Sequence, residues 1–65
     1  MNELEYMRES LIQSGFNRDA IDAMSDGFIR GLFEAWDKED PDEQWESVDR
    51  FFLLNHMDVE RVLQV

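Results

Sequence analysis

The stretch DPDEQWESVDRFFLL, residues 40–54, contains the strongest helix signal of the chain. Asp40 is a good N-cap, Pro41 suits the first helical position, and Glu43 stands at the spacing of a capping box. The acidic first turn also complements the positive end of the helix dipole. We therefore predict a helix over residues 41–54. Its large apolar residues share one helical face, which we expect to point inward: Trp45, Val48, Phe51 and Phe52.

An apolar stripe with helical spacing also runs through residues 18–37. It consists of Ile21, Met24, Phe28, Leu32, Ala35 and Trp36. The stripe keeps its phase across Ser25 and Asp26, although either residue is able to cap a new helix. Two interpretations follow, one long helix over residues 18–37 or two helices broken near residues 25–27. We favour the long helix.

Charged pairs and glycines add detail to these two segments. Acids precede bases by four residues in three pairs, which we expect to form on exposed helix surfaces: Asp26 with Arg30, Glu34 with Lys38, and Glu46 with Arg50. Gly27 and Gly31 lie one turn apart on the predicted long helix. Without side chains they would leave a notch that another backbone can approach. Such close packing would explain why two residues of low helix propensity occur in this helix.

Helix signals also stand at both ends of the chain. Asn2 and Glu5 have capping-box spacing, and Gly15 suits the left-handed position after a helix over residues 3–14. Asn17 can cap the following helix. Near the other end, Asp58 can cap a short helix over residues 58–64, with Met57 packed on Val62 as a hydrophobic staple. The alternative is that the 41–54 helix continues to the C-terminus. The predicted fold is all-α, a single domain over residues 1–65 built as a small bundle of three to four helices.

Size and charge restrict the function. The chain has 65 residues, no cysteine, one histidine and a net charge of -10 from 16 acids and 6 bases. Disulfides and thiolate metal sites are therefore excluded. A surface of this sign repels nucleic acid and anionic lipid but attracts basic proteins. Because no stretch resembles a membrane span or a signal peptide, we expect a cytosolic protein that contacts neither membranes nor nucleic acid.

The acidic residues do not match a metal site or an active site. An EF-hand loop needs a central glycine, and the acidic segment over residues 37–43 has none. Glu43, Glu46 and Asp49 recur along one helix side beside many other acids, which is the pattern of a solvated surface rather than of a desolvated catalytic pair. His56 has no nucleophile motif near it. We therefore expect no metal, no cofactor and no enzymatic activity.

The aromatic residues exceed what one helical face can bury. Adjacent apolar pairs such as Phe28 with Ile29 and Phe51 with Phe52 point in different directions on a helix. Ile29, Phe33 and Leu53 are the candidates for a second apolar face. In a small bundle the middle helix can bury two faces. Otherwise the second face meets a partner protein or a second copy in a homodimer.

These observations favour a small acidic regulator or inhibitor that docks on a protein partner with a basic surface. The expected mechanism is occlusion, with carboxylates pairing to Lys and Arg of the partner. The candidate partner-binding residues combine the acidic segment with neighbouring aromatics, and they are Phe33, Trp36, Asp37, Glu39, Asp40, Asp42, Glu43, Trp45, Glu46 and Asp49. The alternative is a DNA mimic that inhibits a nucleic-acid-binding protein. The size and acidity also suit an inhibitor encoded by a phage or another mobile element.

One segment resembles a known family. Residues 11–18, LIQSGFNR, followed by Ala20, Ala23 and Met24, are similar to the first two helices of a ubiquitin-associated domain. The third helix of that family would correspond to residues 28–36, so the resemblance covers about residues 3–37. That family joins its first helices through a Met-Gly-Phe-type loop, and Ser14 stands here in place of the methionine. The resemblance implies ubiquitin binding through Gly15 and Phe16.

Overall fold

A computed structural model describes residues 2–63 of the chain. Its elements are, in order, α1 (Glu3–Gln13), α2 (Arg18–Ala23), α3 (Asp26–Trp36), α4 (Pro41–Leu54) and a 3₁₀ helix (Val59–Val62). The predicted all-α bundle is confirmed. Each element begins at a residue whose side chain accepts a hydrogen bond from a backbone N–H of its first turn, namely Asn2, Asn17, Ser25, Asp40 and Asp58.

The predicted long helix over residues 18–37 is wrong. The chain leaves helical geometry at Met24 and Ser25, both of which are extended. Ser25 then caps α3, because its hydroxyl accepts a hydrogen bond from the N–H of Phe28 at 3.2 Å. The alternative with two helices is therefore the correct one. The apolar stripe keeps its phase across the break because both helices pack on the same core.

The three predicted acid–base pairs are also wrong. The ion pairs within 4.0 Å among residues 2–63 join different elements instead: Arg8 with Asp26, Arg18 with Glu9, and Arg30 with Glu3. Asp26 lies at the first position of α3, where Arg8 of α1 reaches it. Lys38 lies beyond the end of α3, so Glu34 and Lys38 no longer have helical spacing. For an exposed pair such as Glu46 and Arg50, a fixed ion pair would add little to the free energy of folding.

The core is shared by all the elements. Its buried residues are Leu11, Phe16, Ile21, Ile29, Leu32, Val48, Phe52 and Val62. α3 contacts both α1 and α4, so it buries a wide arc of its surface. Ile29 is consequently fully buried, so for this residue the alternative in which the middle helix buries two apolar faces is the correct one. Of the inward residues predicted for α4, Val48 and Phe52 are buried, Phe51 is half-buried, and Trp45 is partly exposed.

The α3–α4 contact uses one of the two glycines. A Cβ atom added at Gly31 would lie 2.7 Å from Cε1 of Phe51, which is too close. The Phe51 ring therefore occupies the space that a side chain at position 31 would need. The predicted notch is therefore filled by a ring rather than approached by a backbone. Gly27 has open space where its Cβ would be.

The end of the described chain folds back onto the connection between α1 and α2. α4 ends at Leu54, and His56 has a positive φ of 57°, which turns the chain away from the helix. The backbone N–H of Asn17 donates to the carbonyl of Val62 at 2.7 Å, and Phe16 and Leu63 form an isolated antiparallel bridge. The helix predicted over residues 58–64 is thus a shorter 3₁₀ helix, and residue 64 lies outside the described part. No helix within residues 2–63 has the length and apolar character that a membrane crossing requires.

Candidate protein-binding surface

Three aromatic rings meet where α3 ends and α4 begins. Trp36, the last residue of α3, packs edge-on against Trp45 of α4 with ring centroids 4.9 Å apart. Phe16, from the α1–α2 connection, lies 5.5 Å from the Trp36 ring and 6.1 Å from the Trp45 ring. Since Phe16 is fully buried and Trp36 is half-buried, these two rings support Trp45 from the core side.

Trp45 is the member of this cluster that reaches solvent, with 38% of its surface exposed. Its position is fixed by more than the ring contacts. The side-chain amide of Gln44 donates a hydrogen bond to the carbonyl oxygen of Trp36 at 2.9 Å, which ties the start of α4 to the end of α3. A half-exposed indole on a fixed support is the kind of side chain that dominates protein interfaces.

Carboxylates flank Trp45 on the surface of α4. Asp42 and Asp49 stand three residues before and four residues after it, and Glu46 lies between them at i,i+4 and i,i+3 spacing. All three are exposed, and none of them forms an ion pair with any residue in the range 2–63. We call the surface formed by Asp42, Trp45, Glu46 and Asp49 the Trp45 face.

The remaining predicted acids are exposed but have different surroundings. Asp37, Glu39 and Asp40 belong to the connection over residues 37–40. Asp40 is also structural, because its carboxylate accepts the N–H of Asp42 at 2.9 Å and caps α4. Glu43 points away from Trp45 and lines a shallow depression of about 250 Å³. Lys38, Ser47 and Arg50 also line this depression, and so does Glu46, which stands at the border between it and the Trp45 face. The acidic surface is therefore interrupted by bases on that side.

Phe33 is not part of the Trp45 cluster. Its half-buried ring packs edge-on against Tyr6 of α1, with centroids 6.1 Å apart, whereas Trp36 packs against α4. The structure thus brings together Trp36, Trp45 and the acids of α4, and it places Phe33 among the contacts of α1.

Two exposed apolar features were not among the predicted site residues. Leu53 and Leu54 end α4 with 74% and 73% of their surfaces exposed, and Met57 follows them at 42%. Leu53 was a candidate for the second apolar face. The exposure of both leucines follows from the helical spacing of α4. When Val48 and Phe52 point inward, residues 53 and 54 are rotated by about 100° and 200° from Phe52 and therefore point away from the core. The second feature is a groove beside Met57, which no local sequence pattern indicates.

No metal-binding arrangement is formed by the described residues: within 2–63, no group of three or more His, Asp or Glu side chains is placed so that it could hold an ion. Phe16, which the ubiquitin-associated resemblance implies as a ubiquitin contact, is fully buried and not accessible to a partner. Comparisons of the chain with protein-family models, with curated proteins and with solved structures found no match.

Proposed function

We propose that this chain is a non-enzymatic regulator or inhibitor that docks on a basic surface of a protein partner through the Trp45 face. The observation that carries the proposal is the position of Trp45. Its indole is partly exposed, rests on the rings of Trp36 and Phe16, and is flanked by exposed carboxylates of α4. We expect the protein to act in the cytosol.

The two kinds of side chain on this face have different roles in the proposed complex. Trp45 loses its remaining exposure against an apolar spot of the partner, and this burial provides most of the affinity. Asp42, Glu46 and Asp49 pair with Lys or Arg around that spot. These carboxylates also speed the encounter with a basic surface, and so does the net charge of -10 of the whole chain. Regulation follows from occlusion of the basic surface.

The first experiment is capture of partners from the native host by the tagged chain, followed by affinity measurements with the purified partner. Trp45→Ala should weaken binding by about 2 kcal/mol or more, as expected for a central interface residue. The triple variant Asp42→Asn, Glu46→Gln, Asp49→Asn should mainly slow association and reduce its salt dependence. Asp40 stays unchanged in these variants because it caps α4.

A matched triple variant controls for net charge. Glu3→Gln, Glu5→Gln and Glu34→Gln remove the same number of exposed carboxylates from α1 and α3, and we expect this variant to bind almost as tightly as the original chain. Equal losses in the two triple variants would show that only net charge matters. Unchanged affinity of Trp45→Ala combined with a steep salt dependence would favour a DNA mimic over the proposed mixed interface.

A further inference from the structure

Residues 58–63, which we call the Val62 strap, follow the turn after α4 and pack back across the molecule. The strap contains the 3₁₀ helix, which contacts α2 and α4. Within the strap Val62 is buried, Val59 and Leu63 are half-buried, and the charged residues are exposed. The strap is therefore held on the core by a few apolar side chains.

The strap also pairs with the connection between α1 and α2. The backbone N–H of Asn17 donates to the carbonyl of Val62 at 2.7 Å, and Phe16 and Leu63 form an antiparallel bridge. Because the hydrogen bond joins the adjacent residues, Phe16 and Leu63 are a non-hydrogen-bonded pair, in which opposite side chains approach most closely. Leu63 accordingly packs against the core cluster to which Phe16 belongs.

Phe16 connects the strap to the Trp45 face. Its buried ring lies 6.1 Å from the Trp45 ring and 5.5 Å from the Trp36 ring. The same residue is thus paired with the strap and in contact with both tryptophans. A change in the docking of the strap therefore acts on the support of Trp45.

Three features favour release of the strap as a unit. No ion pair among residues 2–63 includes a strap residue. A groove of about 400 Å³ separates Arg61 and Val62 from parts of α2 and α3 that form its other wall, so the packing on that side is loose. His56 has a φ of 57°, a strained backbone conformation for a residue with a side chain. Because α4 ends at Leu54, before this turn, release of the strap leaves the helix intact.

We infer that the Val62 strap detaches and reattaches as a unit and thereby regulates the Trp45 face. This inference rests on the proposed function of that face. In the docked state the strap fixes the connection that carries Phe16, and Phe16 supports Trp45 in a position suited to binding. In the released state Trp45 has to be ordered again when a partner binds, which weakens the complex. Coupling of this kind is reciprocal, so loss of the Trp45 packing also loosens the strap.

Hydrogen exchange of the Asn17 amide measures release of the strap, because this N–H is bonded to the Val62 carbonyl. The Leu32 amide, in the middle of α3, reports unfolding of the whole chain. Val48→Ala makes a buried deletion in α4 that weakens the bundle whether the strap is docked or released. It should speed exchange at Leu32 and leave Asn17 unchanged. Val62→Ala makes the same deletion in the strap and should speed exchange at Asn17 about tenfold.

The coupling from Trp45 to the strap is tested with two aromatic substitutions. Trp45→Ala removes a ring that rests on Phe16 and should speed exchange at Asn17 several-fold. Tyr6→Ala removes an exposed ring of α1 that has no listed role in this chain of contacts and packs on Phe33 instead. It should leave Asn17 exchange unchanged.

The coupling from the strap to Trp45 is tested with two substitutions of equal charge. Val62→Asp places a carboxylate at a buried position, so it should drive the strap into the released state. The NMR signal of the Trp45 indole N–H should move, and the captured and purified partner should bind about tenfold more weakly. Leu53→Asp adds the same charge at an exposed residue and should change neither quantity. Circular dichroism confirms that both variants fold, and Val62→Ala replaces Val62→Asp if the latter does not.

Two results would overturn the inference. Equal acceleration of Asn17 and Leu32 by Val48→Ala would show that the strap is released only when the whole chain unfolds. An unchanged Trp45 indole signal in Val62→Asp, together with unchanged Asn17 exchange in Trp45→Ala, would show that the strap and Trp45 are independent. The exchange and indole measurements need no partner, so failure of the Trp45 face as a binding surface is distinguishable from failure of the coupling.

Discussion

Arg8 of α1 donates a hydrogen bond from Nη2 to the carbonyl oxygen of Met24 at 2.9 Å. The same guanidinium donates from Nη1 to the carbonyl of Ile21 and lies 3.2 Å from Oδ1 of Asp26. The end of a helix leaves its last carbonyls without partners inside the helix. Arg8 supplies a partner for the Met24 carbonyl and a second donor for the Ile21 carbonyl, which also accepts the N–H of Met24. It also binds the first residue of α3, so one side chain contacts both sides of the break.

Arg8→Met should therefore destabilise the protein. The variant keeps an unbranched apolar stem but loses the hydrogen bonds to two carbonyls, and we expect the free energy of unfolding to fall by about 2 kcal/mol. Urea denaturation followed by tryptophan fluorescence measures this change. Arg30→Met is the control, because Arg30 is 52% exposed and lies 3.7 Å from Glu3. Its effect should stay within about 0.5 kcal/mol. Equal effects of the two substitutions would contradict the bridging role of Arg8.

Alanine at the two glycines of α3 should have different effects on stability. Gly27→Ala gains helix propensity in open space, so it should stabilise the protein by about 0.5–1 kcal/mol. Gly31→Ala makes the same local gain but displaces the Phe51 ring, which packs against Phe28 at a centroid distance of 4.9 Å. We expect Gly31→Ala to be about 1–3 kcal/mol less stable than Gly27→Ala. Thermal unfolding monitored by circular dichroism tests this, and similar stabilities would mean that Phe51 moves at little cost.

Phe16→Ala should be among the most destabilising single substitutions. It removes a fully buried ring that contacts both tryptophans, and we expect a loss of about 3–5 kcal/mol. In any folded fraction, the tryptophan emission should shift to longer wavelength because Trp36 and Trp45 lose their support. Tyr6→Ala is the comparison, since Tyr6 is exposed and its ring contact is with Phe33. It should cost about 1 kcal/mol and leave the emission unchanged.

Stability should increase with sodium chloride concentration. Sixteen acids face six bases, and the carboxylates of α4 repel one another at i,i+3 and i,i+4 spacing. Raising the salt from about 0.01 M to about 0.5 M shortens the range of this repulsion to a few ångströms. We expect a gain of about 1 kcal/mol, since each like-charge pair costs a few tenths. Urea midpoints at the two salt concentrations measure it.

The triple variant Asp42→Asn, Glu46→Gln, Asp49→Asn tests the origin of this salt effect. It removes the repelling carboxylates of the Trp45 face while Asp40 continues to cap α4. Its urea midpoint should respond less to salt than that of the original chain. A midpoint that fell with salt in the original chain would show that the three inter-element ion pairs outweigh the repulsion.

The sequence by itself determined which local elements form. Capping residues act on backbone groups two or three positions away, so Asp40 before Pro41 fixed the start of α4, and Gly15 fixed the end of α1 through its positive φ of 119°. The helix over residues 41–54 was predicted with the bounds that the structure has. The acidic residues around Trp45 were also visible, because helical spacing places Asp42 and Asp49 on the same side of α4 as Trp45, and Glu46 next to both of them.

Only the tertiary structure decided how these elements use their side chains. The apolar stripe has the same phase for one long helix and for two helices on a common core, and it was Arg8, far away in sequence, that stabilised the break at Ser25. The burial of Ile29, the place of the Phe51 ring over Gly31, and the groove between α2 and Met57 likewise depend on contacts between distant residues. Local backbone hydrogen bonds can be inferred from neighbours in the chain, whereas packing requires the relative positions of whole helices.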